Sequence, residues 1–222
     1  MRFKRVLLVI GIVLLLLPAG IAYSLEMTLA DLVALGSEGY QVQDKLFYDF
    51  FYSSSGSGGA TPVPAAGVGV TPLDIPLNPG WLFQAPWTAG PGQTLDSLIS
   101  YSVRVLDGGP PITDISARME GFGHASQGIV VVAETGPVDL TLFDSSSGTI
   151  SYQEAVLTNP TRGPITVFKD ISVNGNDGLA TVSAVWNQFS ESEMAVPEPA
   201  TMLLLGSGMV GMAPFIRRKL KK

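Results

Sequence analysis

Ser97-Leu98-Ile99-Ser100-Tyr101-Ser102-Val103-Arg104-Val105-Leu106 decides the fold class. Ile99, Tyr101, Val103 and Val105 fall on one side of an extended chain, and Ser100, Ser102 and Arg104 fall on the other. That period of two describes a strand with one buried face. The same theme recurs at residues 113–120, 128–135, 138–143, 150–157, 165–173 and 179–189, and residues 45–53 alternate aromatics on both faces. These stretches predict about eight strands. Residues 28–35 are the exception. Thr28 can cap a helix, Asp31 suits its first turn, Leu29, Leu32 and Leu35 recur every third residue, and Gly36 ends it.

Between these stretches lie Asp107-Gly108-Gly109-Pro110, Ser145-Ser146-Ser147-Gly148 and Asn174-Gly175-Asn176-Asp177-Gly178. Gly and Asn accept positive φ at little cost, so all three read as hairpin turns. Strands joined by tight turns predict antiparallel pairing, and alternating faces are best buried by two packed sheets. The expected fold is an all-β antiparallel β-sandwich, jelly-roll-like. Residues 53–79 lack aromatics and are rich in Gly, Ser, Ala and Pro, which predicts a long surface excursion.

Outward from this body the two termini change character. Arg2, Lys4 and Arg5 precede twelve residues, Val6 to Leu17, that are apolar but for Gly11, followed by Pro18 and small residues. This is the layout of a signal peptide over residues 1–24, cleaved after Ala22 or Ser24. At the other end Pro197-Glu198-Pro199 leads into an apolar run over residues 200–216. The chain then closes on Arg217, Arg218, Lys219, Leu220, Lys221 and Lys222. Seventeen residues at 1.5 Å each span about 25 Å, a short transmembrane helix, and the basic cluster keeps its end cytoplasmic. Two prolines around Glu198 hold that peptide extended, in a form an enzyme can grip. The expected organisation is a signal helix at 1–24, an exported sandwich domain at 25–196 and an anchoring tail at 197–222.

Val196-Pro197-Glu198-Pro199-Ala200-Thr201, the Met202-Leu203-Leu204-Leu205-Gly206 run and the terminal basic cluster resemble, in that order, the PEP-CTERM sorting signal of proteins exported by Gram-negative bacteria. The resemblance implies that the secretion machinery delivers the chain and that an exosortase, a membrane-embedded transpeptidase, reads Pro197, Glu198 and Pro199. It also implies an inner-membrane-anchored precursor and a mature product in the envelope or outside the cell. The body resembles uncharacterised members of that family at residues 28–36, 44–47 and 167–173, and no activity comes with that likeness.

Between residues 25 and 196, eighteen carboxylates face five basic residues, Lys45, Arg104, Arg118, Arg162 and Lys169, so this part carries thirteen net negative charges. Such a surface repels nucleic acid and anionic polysaccharide unless divalent cations intervene. The absence of cysteine excludes disulfides, thiolate metal sites and cysteine nucleophiles. His124 is the only histidine, which excludes multi-histidine metal centres, and its Gly-rich setting reads as a solvated or packed ring. Asn174, Asn176 and Asp177 have the wrong spacing for an EF-hand and suit a turn. The sequence therefore predicts no catalytic residue, metal or cofactor.

Trp81 and Trp87, beside Pro79 and Pro86, are the candidates for exposed rings that stack on sugars, whereas Trp186 inside a strand is expected in the core. The expectation is a non-enzymatic surface or matrix protein associated with extracellular polysaccharide. A membrane-tethered carbohydrate-binding module and a carboxylate-dependent glycoside hydrolase are the alternatives.

Overall fold

The computed structural model describes residues 27–192. The signal peptide, the Pro-Glu-Pro tripeptide, the anchor and the basic cluster lie outside the described residues. Helix α1, Leu29–Leu35, begins as the sequence predicts. The Thr28 side chain accepts from the Asp31 amide while the Asp31 carboxylate accepts from the Thr28 amide, a capping box, and Gly36 closes the helix at φ +52°.

Thirteen strands follow among the described residues: β1 Tyr40–Val42, β2 Lys45–Ser57, β3 Gly69–Leu73, β4 Gly80–Ala89, β5 Thr94–Val105, β6 Ile112–Glu120, β7 Gly123–Ala125, β8 Ile129–Thr135, β9 Leu140–Ser145, β10 Gly148–Ile150, β11 Tyr152–Thr161, β12 Ile165–Asn174 and β13 Leu179–Glu191. Their pairings are antiparallel throughout. One sheet runs β1-β2-β5-β12-β8-β9-β10, and the other runs β11-β6-β13-β4-β3, with β7 continuing the β6 side of β13. The molecule is a two-sheet antiparallel β-sandwich. Its core is the set of inward residues both sheets contribute, including Ile99, Tyr101 and Val103 from β5 and Phe83, Trp87 and Phe189 from the facing sheet. No helix among the described residues is long and apolar enough to cross a membrane.

All eight predicted stretches carry strands, and three readings need correction. The first concerns the turns. Only Ser145–Gly148 makes a hairpin, between β9 and β10. The turns at 107–110 and 174–178 join strands of opposite sheets and are arches. Gly108 (φ +86°) and Asn176 (φ +48°) supply the expected bend, but bend chemistry does not fix whether the chain returns beside itself or crosses the core.

The second concerns residues 53–79. Ser53 to Ser57 extend β2, Gly69 to Leu73 form the edge strand β3, and Val63, Val68 and Val70 are buried. Isolated valines among Gly and Pro carry no periodic signal, yet each fills the end of the core.

The third is β4, a ten-residue strand absent from the predicted set, which contains Pro86. Two residues, Ala85 and Pro86, stand opposite Ser183 where the β13 register shifts, and the β3 ladder has already ended at Gln84. A proline at such a position breaks no ladder hydrogen bond.

Candidate functional site

The expected sugar-stacking tryptophans are not on the surface. Trp81 and Trp87 alternate inward along β4 with Phe83, and both are 0% exposed. Trp81 meets Tyr40, Phe47 and Phe50 edge to face at 5.3–5.9 Å, and Trp87 Nε1 donates to Ser97 Oγ at 3.2 Å. Both are core residues and are withdrawn as glycan contacts.

Trp186 shows the opposite correction. The inward set of β13 changes from Ala180 and Val182 to Val185, Asn187 and Phe189 across the irregularity at Ser183, so Trp186 turns outward. A one-residue slip moves every later side chain to the other face. Its ring lies half-buried beneath the Arg118 guanidinium, 5.4 Å from the centroid, and Arg118 is paired with Glu120 at 2.7 Å. That face of the indole is already taken by a cation.

A pair of open phenyl rings lies on the outer face of the seven-stranded sheet. Phe51 of β2 pairs with Ser100 of β5, and Ser100 pairs with Phe168 of β12. Directly paired residues point to the same face, so the two phenyl rings flank a small hydroxyl side chain two strand spacings apart, roughly 9.6 Å. Phe51 is 53% exposed and Phe168 46% exposed. Two local causes put them there. An irregularity between Tyr48 and Phe51, with Asp49 at φ +53°, lets Phe50 go inward and Phe51 outward. In β12 the inward set is Ile165, Val167, Lys169, Ile171 and Val173, which leaves Phe168 outside.

The next rows of the same face are polar. Asp170 pairs with Leu98, and Leu98 with Ser53; Ser172 pairs with Asp96, and Asp96 with Ser55. Ser53, Ser55, Asp96, Leu98 and Asp170 line, with Ser54, a depression of about 160 Å³ beside the phenyl pair. Partial burial, and then the Asp96 carboxylate, push the Asp170 carboxyl above its ordinary range. Serine hydroxyls and carboxylates beside flat apolar rings can hydrogen-bond a polyhydroxylated chain while its C–H face stacks. A wider cleft of about 490 Å³, walled by Pro62, Pro64, Pro86, Thr88 and Gln93 among others, has no charged or aromatic side chain in its lining.

The remaining polar candidates do structural work. His124 Nδ1 lies 2.7 Å from Asp144 Oδ2, and Asp144 Oδ1 accepts from Thr149 Oγ1 at 2.6 Å, which ties β7 to β9 across the sandwich. Asp177 accepts from the Ser126 hydroxyl and the Gln127 amide, and Asn176 caps back to Asn174. Lys45, fully buried, pairs with Asp44 at 2.8 Å and with Glu191. Burial pushes the Glu191 carboxyl up, and Lys45 opposes that shift.

Residues 195–220 match the family described as the PEP-CTERM protein-sorting motif. The chain therefore carries that motif at its C-terminus, which implies an exosortase substrate; proteins with it are exported and processed at the cell envelope. No curated protein matches the chain. Among solved structures it is similar to the carbohydrate-binding module TmCBM61 in complex with beta-1,4-galactotriose, at 13% identity and a TM-score of 0.32, covering 63% of this chain and 88% of that one. It is also similar to the enzymatically active domain of bacteriophage CBA120 tailspike protein 4, at 11% identity and a TM-score of 0.29, over 71% of this chain and 21% of the tailspike. A structure of promiscuous carbohydrate-binding modules of the beta-sandwich super family matches at 11% identity and a TM-score of 0.26, over 64% of this chain and 57% of that one. At this level the likeness extends to no ligand and no residue.

Proposed function

We propose that this chain is a non-enzymatic surface or matrix protein, delivered through its Pro-Glu-Pro tail, whose sandwich holds a neutral polysaccharide on the outer face of the seven-stranded sheet. The Phe51–Ser100–Phe168 row, with Asp96 and Asp170 beside it, carries the reading. Neutrality follows from charge. Lys45 and Lys169 are fully buried, and Glu134 and Asp144 are buried as well, so the exterior keeps the strongly negative balance that composition indicates. Anionic glycans are repelled, and hydroxyl donors to the carboxylates are favoured.

The test is release from the matrix. Protein isolated with its native extracellular polysaccharide is treated with glycosidases that cut neutral glycans. Its appearance in the soluble fraction supports the proposal, and retention after complete glycan digestion overturns it.

Two carboxylates, one with a raised titration range, beside an aromatic platform also favour a glycoside hydrolase as the second reading. Turnover of any polysaccharide by the wild type, lost in Asp170→Asn, would promote it over the binding role.

A further inference from the structure

Lys169, Glu134 and Asn187 form a polar cluster in the middle of the core that surface binding does not require. Their exposures are 0%, 2% and 0%. Lys169 and Glu134 are direct cross-strand partners on β12 and β8, while Asn187 points in from β13 of the facing sheet. Lys169 Nζ donates to Glu134 Oε2 at 2.6 Å, and Asn187 Nδ2 donates to Glu134 Oε1 at 2.8 Å. One carboxylate thus holds an amine from one sheet and a carboxamide from the other. Asn187 Oδ1 is buried with no hydrogen-bond partner, so the carbonyl of that carboxamide is open to an acid. The Tyr101 hydroxyl, also buried and without a partner, lies within reach of the Glu134 charge.

We propose that Lys169 and Asn187 react to form an intramolecular isopeptide bond, with Glu134 as the catalytic proton carrier. A proton passes from the Lys169 ammonium to Glu134 along their hydrogen bond, leaving a neutral amine and a neutral acid. The Nζ lone pair attacks Asn187 Cγ, and the acid hydrogen-bonds to Oδ1 as negative charge builds there. Glu134 then takes a proton from Nζ and delivers one to Nδ2, the Cγ–Nδ2 bond breaks, and ammonia leaves. An amine and a primary amide become a secondary amide and ammonia, with no oxidant or reductant involved. Holding both groups on one carboxylate supplies the proximity that the uncatalysed reaction lacks.

The link has a mechanical logic in this chain. An exported protein without cysteine has no disulfide to staple its sheets. β13 is the strand that leads into the sorting tail, so a bond at Asn187 would tie the tail-bearing strand to the opposite sheet.

The experiment is a tryptic digest of the denatured full chain read by high-resolution mass spectrometry, which reports the link whatever happens at the termini. The expected result is no tryptic cleavage after Lys169 and, once a second protease has cut before Asp170 and Asp177, a branched peptide joining residues 163–169 to the peptide that begins at Asp177 and contains Asn187, lighter by one ammonia than its two parts. Glu134→Ala and Asn187→Ala should restore cleavage after Lys169. Should those variants fail to fold, the wild-type peptide still decides. Ordinary cleavage after Lys169, with linear peptides of unmodified mass, overturns the proposal. Ammonia loss confined to a linear peptide containing Asn174-Gly175 also overturns it, since that marks cyclisation at the Asn-Gly step. Neither result bears on glycan binding, which involves the opposite surface of β12.

Discussion

Removing the phenyl rings of Phe51 and Phe168 should abolish most glycan affinity while sparing the fold. A phenylalanine side chain offers of the order of 150–250 Å². With 53% and 46% exposure, each ring leaves about 100 Å² open to a ligand. A flat sugar covers one face, about half of that, so about 50 Å² per ring leaves water. At about 25 cal/mol per Å² this is about 1.2 kcal/mol, or roughly a sevenfold change in Kd. The rings stand roughly 9.6 Å apart on either side of Ser100, so their losses should add to roughly fiftyfold in the double variant. Isothermal titration of the full chain with a soluble neutral polysaccharide gives the Kd, and thermal unfolding gives the control. Neither ring is core, so Tm should fall by no more than about 4 °C for the pair. Trp186→Ala, on the other sheet, should leave Kd unchanged. A double variant that binds the wild type's polysaccharide within twofold of the wild-type Kd would refute the assignment of this face.

Other expectations follow from single residues. Trp87→Ala leaves a large void and should destabilise by about 3–5 kcal/mol, seen as a Tm lowered by roughly 6–20 °C; a drop below 2 °C would mean the ring is not core. Gly80→Ala would bring a Cβ within 2.8 Å of Gln188 Cα and against the Asn187 carbonyl, where backbone cannot yield, so a loss of about 3 kcal/mol or poor expression is expected. Asp170 has its folded-state range raised above the ordinary value of 3.8, so the folded chain keeps this proton where the unfolded chain has lost it. Its contribution therefore becomes unfavourable as pH rises through that window. Asp170→Asn should stabilise the fold slightly at pH 7, by about 0.5 kcal/mol at most, seen as a Tm raised by no more than about 2 °C, and leave Tm unchanged at pH 3. Glu198→Ala should leave export intact and block removal of the tail; intact mass of the envelope product, in cells with and without the sorting enzyme, reads the outcome.

By itself the sequence determined the strand class, the α1 cap and the sorting tail, because each is written in adjacent residues. Period-two alternation follows from backbone geometry, a capping box spans four positions, and a tripartite tail is linear. The phase of β12 was legible too. Extending the alternation of Ile165, Val167, Ile171 and Val173 places Phe168 outside and Lys169 inside, though a buried lysine runs against the usual preference.

Tertiary structure alone decided the rest. The irregularity at Ser183 turned Trp186 out, and the paired strands around Pro86 kept Trp81 and Trp87 in; both depend on what lies alongside. The two arches at 107–110 and 174–178 took the chain across the core, where turn chemistry permits either path. Ser100 between two phenyl rings, and Glu134 between a lysine and an asparagine, are registers of strands distant in sequence. Register is set by the summed fit of both faces of every strand, and no local stretch of residues contains that sum.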